Sequence, residues 1–332
     1  MIRFFALLVI FAIPLWASKP LQVVTTLPIL QSIAKAIGGA DVEVKSLGRP
    51  GQDPHFIQPG PDLWKKTRKA DVLIEIGLNL ELWAQKVVDE SGNLKVRNGQ
   101  PGRIVASAGI AVVDVPKVLS REFGDVHPDG NPHIWLDPIR VKKIAANIAR
   151  GFSLVDPTHR DTYNLNLQSF QKRIDEALFG EQLVREVGGE KLTRECEAGN
   201  LFRYLKDKKL ESKLGGWFKK AAPLRGQKIV TYHKSWSYFA DRFGFTVPTE
   251  IEEKPGISPS LKYRDEVIAL VKQDNVKTLV VDSYYDRSAA DYIAGKTGAR
   301  VIQVPIDVGY VKVAGDYFSL IDYLLDQLNG TK

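Results

Sequence analysis

The strongest constraint on the fold lies in the middle of the chain. Between Pro157 and Gly180 there is neither glycine nor proline, and Tyr163, Leu167, Phe170, Ile174 and Leu178 recur at spacings of three and four with polar residues between them. Apolar residues at that spacing share one face of a helix. Asp156-Pro157 supplies an N-cap followed by proline at the first helical position. The pattern predicts one long amphipathic helix over residues 156–179. On either side of it the pattern changes to short apolar runs alternating with helical segments. Residues 21–27 are β-rich, 29–37 have helical spacing, 42–47 alternate, 48–61 form a loop rich in glycine and proline, and 72–76, 104–106 and 111–115 are short apolar runs. After residue 226, strands are expected at 228–232, 278–281 and 300–306, with helices at 235–243 and 263–273. Such alternation builds parallel sheets covered by helices. The expected fold is therefore α/β: two parallel-sheet lobes, 19–155 and 227–332, joined by a long backbone helix. Residues 180–226 are read as a helical insertion and linker.

The first eighteen residues have a different character. Arg3 precedes an uncharged, mostly apolar run from Phe4 to Trp16, and Ala17-Ser18 offers small residues for cleavage. The run is shorter than the ~20 residues of a membrane span. It reads as a cleaved signal peptide, which places the mature chain in a periplasm. No cysteine follows it to carry a lipid, and the lone Cys196 excludes an internal disulfide framework. The formal net charge of +7 would suit a nucleic-acid partner. Export argues against one, and much of the excess sits in residues 206–220, read as a solvated helix face.

Export directs attention to the five histidines. His55 follows Asp53-Pro54 in the glycine/proline loop. His133 stands in Asn131-Pro132-His133-Ile134-Trp135-Leu136-Asp137-Pro138, entering the expected helix at 139–149. His233 closes one strand of the second lobe and Asp307 closes another. Ligands in parallel α/β sheets bind beyond the carboxyl ends of strands. Two candidates therefore come from each lobe and meet in the cleft. Three imidazoles and a carboxylate make a coordination shell for a divalent transition metal. Taken singly, each reads as readily as a surface, packing or capping residue; the matched placement in two lobes carries the assignment. His127 is a candidate accessory ligand, and His159, in the first turn of the long helix, is expected to be solvated.

Several stretches in order resemble one family: Thr25-Thr26-Leu27-Pro28, Asp53-Pro54-His55, Ala70-Asp71-Val72 through Gly77-Leu78-Asn79-Leu80-Glu81, the His133 segment, Tyr232-His233 with Tyr238-Phe239, and Asp307. Together they are similar to the metal-specific solute-binding proteins of ABC transporters (the A-I cluster), the periplasmic component of zinc and manganese importers. The resemblance covers most of the mature chain except residues 180–226. It implies His55, His133, His233 and Asp307 as metal ligands. It also implies two lobes tied by a rigid helix that open little, and a cognate permease in the inner membrane as partner of a monomeric carrier. Residues 122–130 hold only His127, unlike the loop rich in histidine and acid that zinc importers often carry.

Three neutral imidazoles with one carboxylate suit Zn²⁺ at ~2.0–2.2 Å, whereas Mn²⁺ prefers more oxygen. Zinc is the favoured cargo and manganese the alternative. Imidazole protonation near ~6.5 competes with either metal. A secreted zinc hydrolase is the more distant reading. It needs a bound water and a general base, and neither HExxH nor a nucleophile elbow is present.

Overall fold

A computed structural model describes residues 19–116 and 127–330. The signal peptide expected at 1–18 lies outside the described residues. The first lobe is a parallel sheet of β1 (Leu21–Thr25), β2 (Val42–Ser46), β3 (Val72–Glu75) and β4 (Arg103–Val105), in the order β2-β1-β3-β4. Thr25 is in register with Ser46 and with Ile74, so the carboxyl ends of β1, β2 and β3 lie level. Pro28 starts α1 (Pro28–Gly38), which buries Ile29, Leu30, Ile33, Ala34 and Ile37 on one face. Two further helices, α2 (Pro61–Arg68) and α3 (Leu82–Ser91), cover the lobe.

The run at 111–115 is not a strand. Beyond β4 the chain leaves the sheet toward the cleft, with Asp114 at a φ of 56°. The backbone of Val113 bonds outside the sheet: its carbonyl accepts from Asn131 N at 2.9 Å, and its N donates to the Tyr238 hydroxyl oxygen at 3.2 Å.

Two long helices follow. Asp137 accepts from Ile139 N and caps α4 (Pro138–Val155), which continues beyond the expected end at 149 because its buried face runs on through Gly151 and Phe152. A short 3-10 turn leads into α5 (Arg160–Phe179), the expected backbone helix. Asn166 of α5 donates to Ile37 O at 2.9 Å, and the Phe170 ring meets Phe318 at 5.4 Å, so this helix touches elements of both lobes. His159 is not simply solvated: its Nδ1 lies 2.6 Å from Asp156. Residues 180–226 form four short helices, α6 (Glu181–Val187), α7 (Gly189–Glu197), α8 (Leu201–Lys208) and α9 (Gly216–Lys220). They are packed, not loose: Leu183, Leu192, Leu205, Trp217 and Phe218 all join the main core. In the basic run, Lys213 pairs with Glu186, and Lys220 with Asp322 and Asp326.

The second lobe is a parallel sheet β5 (Val230–Thr231), β6 (Thr278–Asp282) and β7 (Arg300–Val304), with α10 (Ser237–Phe243), α11 (Leu261–Gln273) and α12 (Ser288–Thr297). Helix α13 (Tyr317–Asn329) returns toward the first lobe, where Tyr317 N donates to Ser32 Oγ at 3.2 Å. One apolar cluster runs from Val23 and Ile33 through Ile174 to Leu320 and Leu324, so the lobes share a core beneath the cleft. No described helix is long and apolar enough to cross a membrane.

Candidate metal centre

Three histidines of the cleft, His55, His133 and His233, are each held by Nδ1. In Asp53-Pro54-His55 the aspartate Oδ1 accepts from the His55 backbone N at 2.9 Å and lies 2.7 Å from its ring Nδ1. Asn131-Pro132-His133 repeats the device, with Oδ1 3.0 Å from the backbone N and 2.9 Å from Nδ1. An Asx side chain two residues before a histidine reaches both groups, and the intervening proline offers no N–H to compete. His233 obtains its partner from tertiary structure. Residues 250–252 run parallel beside β5, with Ile251 N on Thr231 O at 2.8 Å and Glu252 N on Tyr232 O at 2.9 Å. That register sets Glu252 Oε2 2.7 Å from His233 Nδ1. An ionised carboxylate or an amide oxygen only accepts, so in the neutral form of each ring Nδ1 carries the proton and Nε2 keeps its lone pair.

The free nitrogens converge. His55, His133 and His233 each offer one ring nitrogen within 4.8 Å of the other two. His133 Nε2 is buried without a hydrogen-bond partner. A buried orphan acceptor is costly, and a cation at the centre of the triad would satisfy it. The donor set therefore fits a divalent transition metal. His127 adds a fourth imidazole, its Nε2 3.2 Å from His55 Nε2. Asp307 follows β7 as expected, but it is not in the close group of three. Its Oδ1 accepts from Val308 N at 2.7 Å, and Ile29 N also donates to the carboxyl.

Electrostatics follow from burial and neighbours. Burial, then the charges of His233, His55 and His127, keeps His133 well below the ordinary histidine value. Burial and the neighbouring imidazoles push His127 down to about 3. For His233 burial acts downward, but the hydrogen bond and charge of Glu252 outweigh it and the net shift is upward. Burial lifts Asp307 to about 7.

The two lobes are tied behind the site. Asn131 Nδ2 donates to Lys234 O at 2.7 Å, so one amide orients His133 and binds the residue after His233. Trp135 Nε1 donates to Ile306 O at 2.7 Å, beside Asp307. Asp137 is fully buried and takes a fork from Arg242 of α10 at 2.7 and 2.8 Å. Cys196 packs against the same guanidinium, and burial raises its thiol to about 11. Asp282 fixes the turn after His233 by accepting from Ser235 Oγ at 2.5 Å and Trp236 Nε1 at 2.8 Å.

Sequence reasoning missed the supporting oxygens. Asp53 and Asn131 were visible as Asx-Pro-His, and the repeat was the signal. Glu252, nineteen residues from His233, carried no local signal.

Two α/β lobes on a shared core, with imidazoles from both meeting at the strand ends, define a two-lobed binding protein built to hold a metal ion. The family model described as zinc-uptake complex component A, periplasmic, matches residues 23–178 and 207–330, and the chain belongs to that family. It is a metal-binding substrate-binding component of an ABC transporter, not an enzyme. The stretch left between the two matched parts, 179–206, corresponds to α6, α7 and most of α8. Among curated relatives, the iron-binding protein YfeA of Yersinia pestis is 26% identical over 320 residues, covering 94% of this chain and 86% of its own. The manganese ABC transporter substrate-binding lipoprotein PsaA of Streptococcus pneumoniae is 26% identical over 324 residues, covering 94% of this chain and 89% of its own. Of solved structures, that of ZnuA superposes with a TM-score of 0.69 at 22% identity, covering 94% of this chain and 99% of that one. A manganese-bound periplasmic metal-binding protein from Candidatus Liberibacter asiaticus gives 0.66 at 20% identity, covering 93% and 98%.

Proposed function

We propose that this protein captures Zn²⁺ in the periplasm through His55, His133 and His233 and delivers it to the permease of an ABC importer. The observation that carries the choice of metal is the all-nitrogen triad, each ring locked by an oxygen on Nδ1. Imidazole suits zinc, whereas manganese is harder and favours oxygen-rich shells. Support on Nδ1 orients each ligand and raises its basicity.

For the fourth position Asp307 remains the proposed ligand on loading, and His127 is its competitor. The 3.2 Å between the His127 and His55 nitrogens favours the competitor in this conformation. It is close to the ~3.3 Å edge of a tetrahedron with ~2.0 Å metal–nitrogen bonds. Titration calorimetry with Zn²⁺ and Mn²⁺ in competition tests the reading. Zinc should bind more tightly, and His133→Ala or His233→Ala should weaken it far more than His159→Ala. Comparing Asp307→Ala with His127→Ala assigns the fourth ligand. Preference for manganese, or equal effects at His133 and His159, would reject the proposal.

A further inference from the structure

Glu252 does more than orient a ligand. Its Oε2 holds His233 Nδ1, while its Oε1 accepts from the backbone N of Gly256. One buried carboxylate thus joins a ring of the metal triad to a tight turn four residues on. That turn, Lys254-Pro255-Gly256-Ile257, is closed by Ile257 N donating to Lys254 O at 2.9 Å. Pro255 presets φ at the second position, and Gly256 takes a φ of +80° at the third, as a type II turn requires. The tip reaches across the cleft: a Cβ placed on Gly256 would stand 3.6 Å from Cζ of Phe56, the residue after His55. The turn therefore spans from the second lobe to the neighbour of a first-lobe ligand.

We propose that Glu252 is a positioning residue coupling His233 to the 254–257 turn, so that metal on His233 locks the turn against Phe56. The inference rests on the zinc-capture reading and deepens it. A cation on Nε2 withdraws density from the imidazole and makes Nδ1–H a stronger donor to Glu252. The carboxylate, then held more firmly, fixes Oε1 for the Gly256 amide. Glutamine cannot substitute, because its amide has a single acceptor oxygen for two donors. If that oxygen faces His233, the turn loses its acceptor. If it faces Gly256, the amide NH₂ donates to Nδ1 and moves the ring proton to Nε2, blocking the ligand nitrogen.

The test is amide hydrogen exchange of the whole protein, read at Gly256 and Ile257, without metal and at saturating Zn²⁺, alongside zinc calorimetry. In the unaltered protein zinc should slow exchange at both amides by about tenfold or more. Glu252→Ala should raise Gly256 exchange already without metal, abolish the zinc response and weaken zinc binding by roughly 10–100-fold. Glu252→Gln, which conserves size should the alanine variant not fold, should also abolish the response. Asn131→Ala is the control: it orients His133 without touching the turn, so it should weaken zinc but keep the response at saturation. Zinc bound normally with no change at Gly256, or a response surviving in both Glu252 variants, overturns the coupling and leaves zinc capture standing. No zinc binding by the unaltered protein overturns both.

Discussion

Replacing Arg242 by alanine removes the strongest partner of Asp137. That carboxylate is fully buried at the start of α4 and receives four hydrogen bonds: two from Arg242, one from Arg140 and one from Ile139 N. Breaking a buried ion pair by removing one partner costs ~3–5 kcal/mol. Two of the four bonds survive, so the loss should fall at the low end, about 3 kcal/mol. Urea unfolding at pH 7 measures it, with an unchanged slope expected if the native fold is kept. The pH dependence supplies a second check. Burial pushes Asp137 up, but the charge and hydrogen bonds of Arg242, with Arg140, outweigh it and hold the group below its ordinary 3.8. Its stabilisation is fully present above 3.8 and is lost as pH falls through the lower folded value. The gap between the unaltered protein and Arg242→Ala should therefore be widest near neutrality and narrow in acid. A loss under about 1 kcal/mol at pH 7, the scale of a surface pair, would refute the claim that this ion pair fastens the lobes.

Three further outcomes are expected. Asn131→Ala should reduce zinc affinity by roughly 10–100-fold in calorimetry, because His133 loses the oxygen on its Nδ1. Phe179→Ala should cost ~3–5 kcal/mol in denaturant unfolding, since the ring is fully buried and stacks on Phe218 at 5.6 Å. Cys196, with its thiol raised to about 11 by burial, should resist alkylation at pH 8 in the folded protein and react once the chain is unfolded in denaturant.

Much of the fold was legible because its determinants are local. The spacing of Tyr163, Phe170, Ile174 and Leu178 marks α5, and the alternation of short strands with helices marks two parallel sheets. The run at 111–115 misled because apolar composition alone does not show whether a strand neighbour exists; its backbone partners are Asn131 and Tyr238. The packing of residues 180–226 was hidden for a related reason, since short helices draw their stability from tertiary burial rather than from a pattern of their own. At the site, His55, His133 and His233 could be picked out because histidine is scarce and each sits at an element end. Glu252 could not, because only the register of residues 250–252 against β5 brings it to His233.

The proposed function has His55, His133 and His233 holding one zinc ion between the lobes. A crystal structure of the zinc-loaded protein, with data at the zinc absorption edge, tests it most directly. One anomalous peak is expected, bonded to the Nε2 atoms of all three histidines at ~2.0–2.1 Å. A peak elsewhere on the protein, or none in the cleft at saturating zinc, would contradict it.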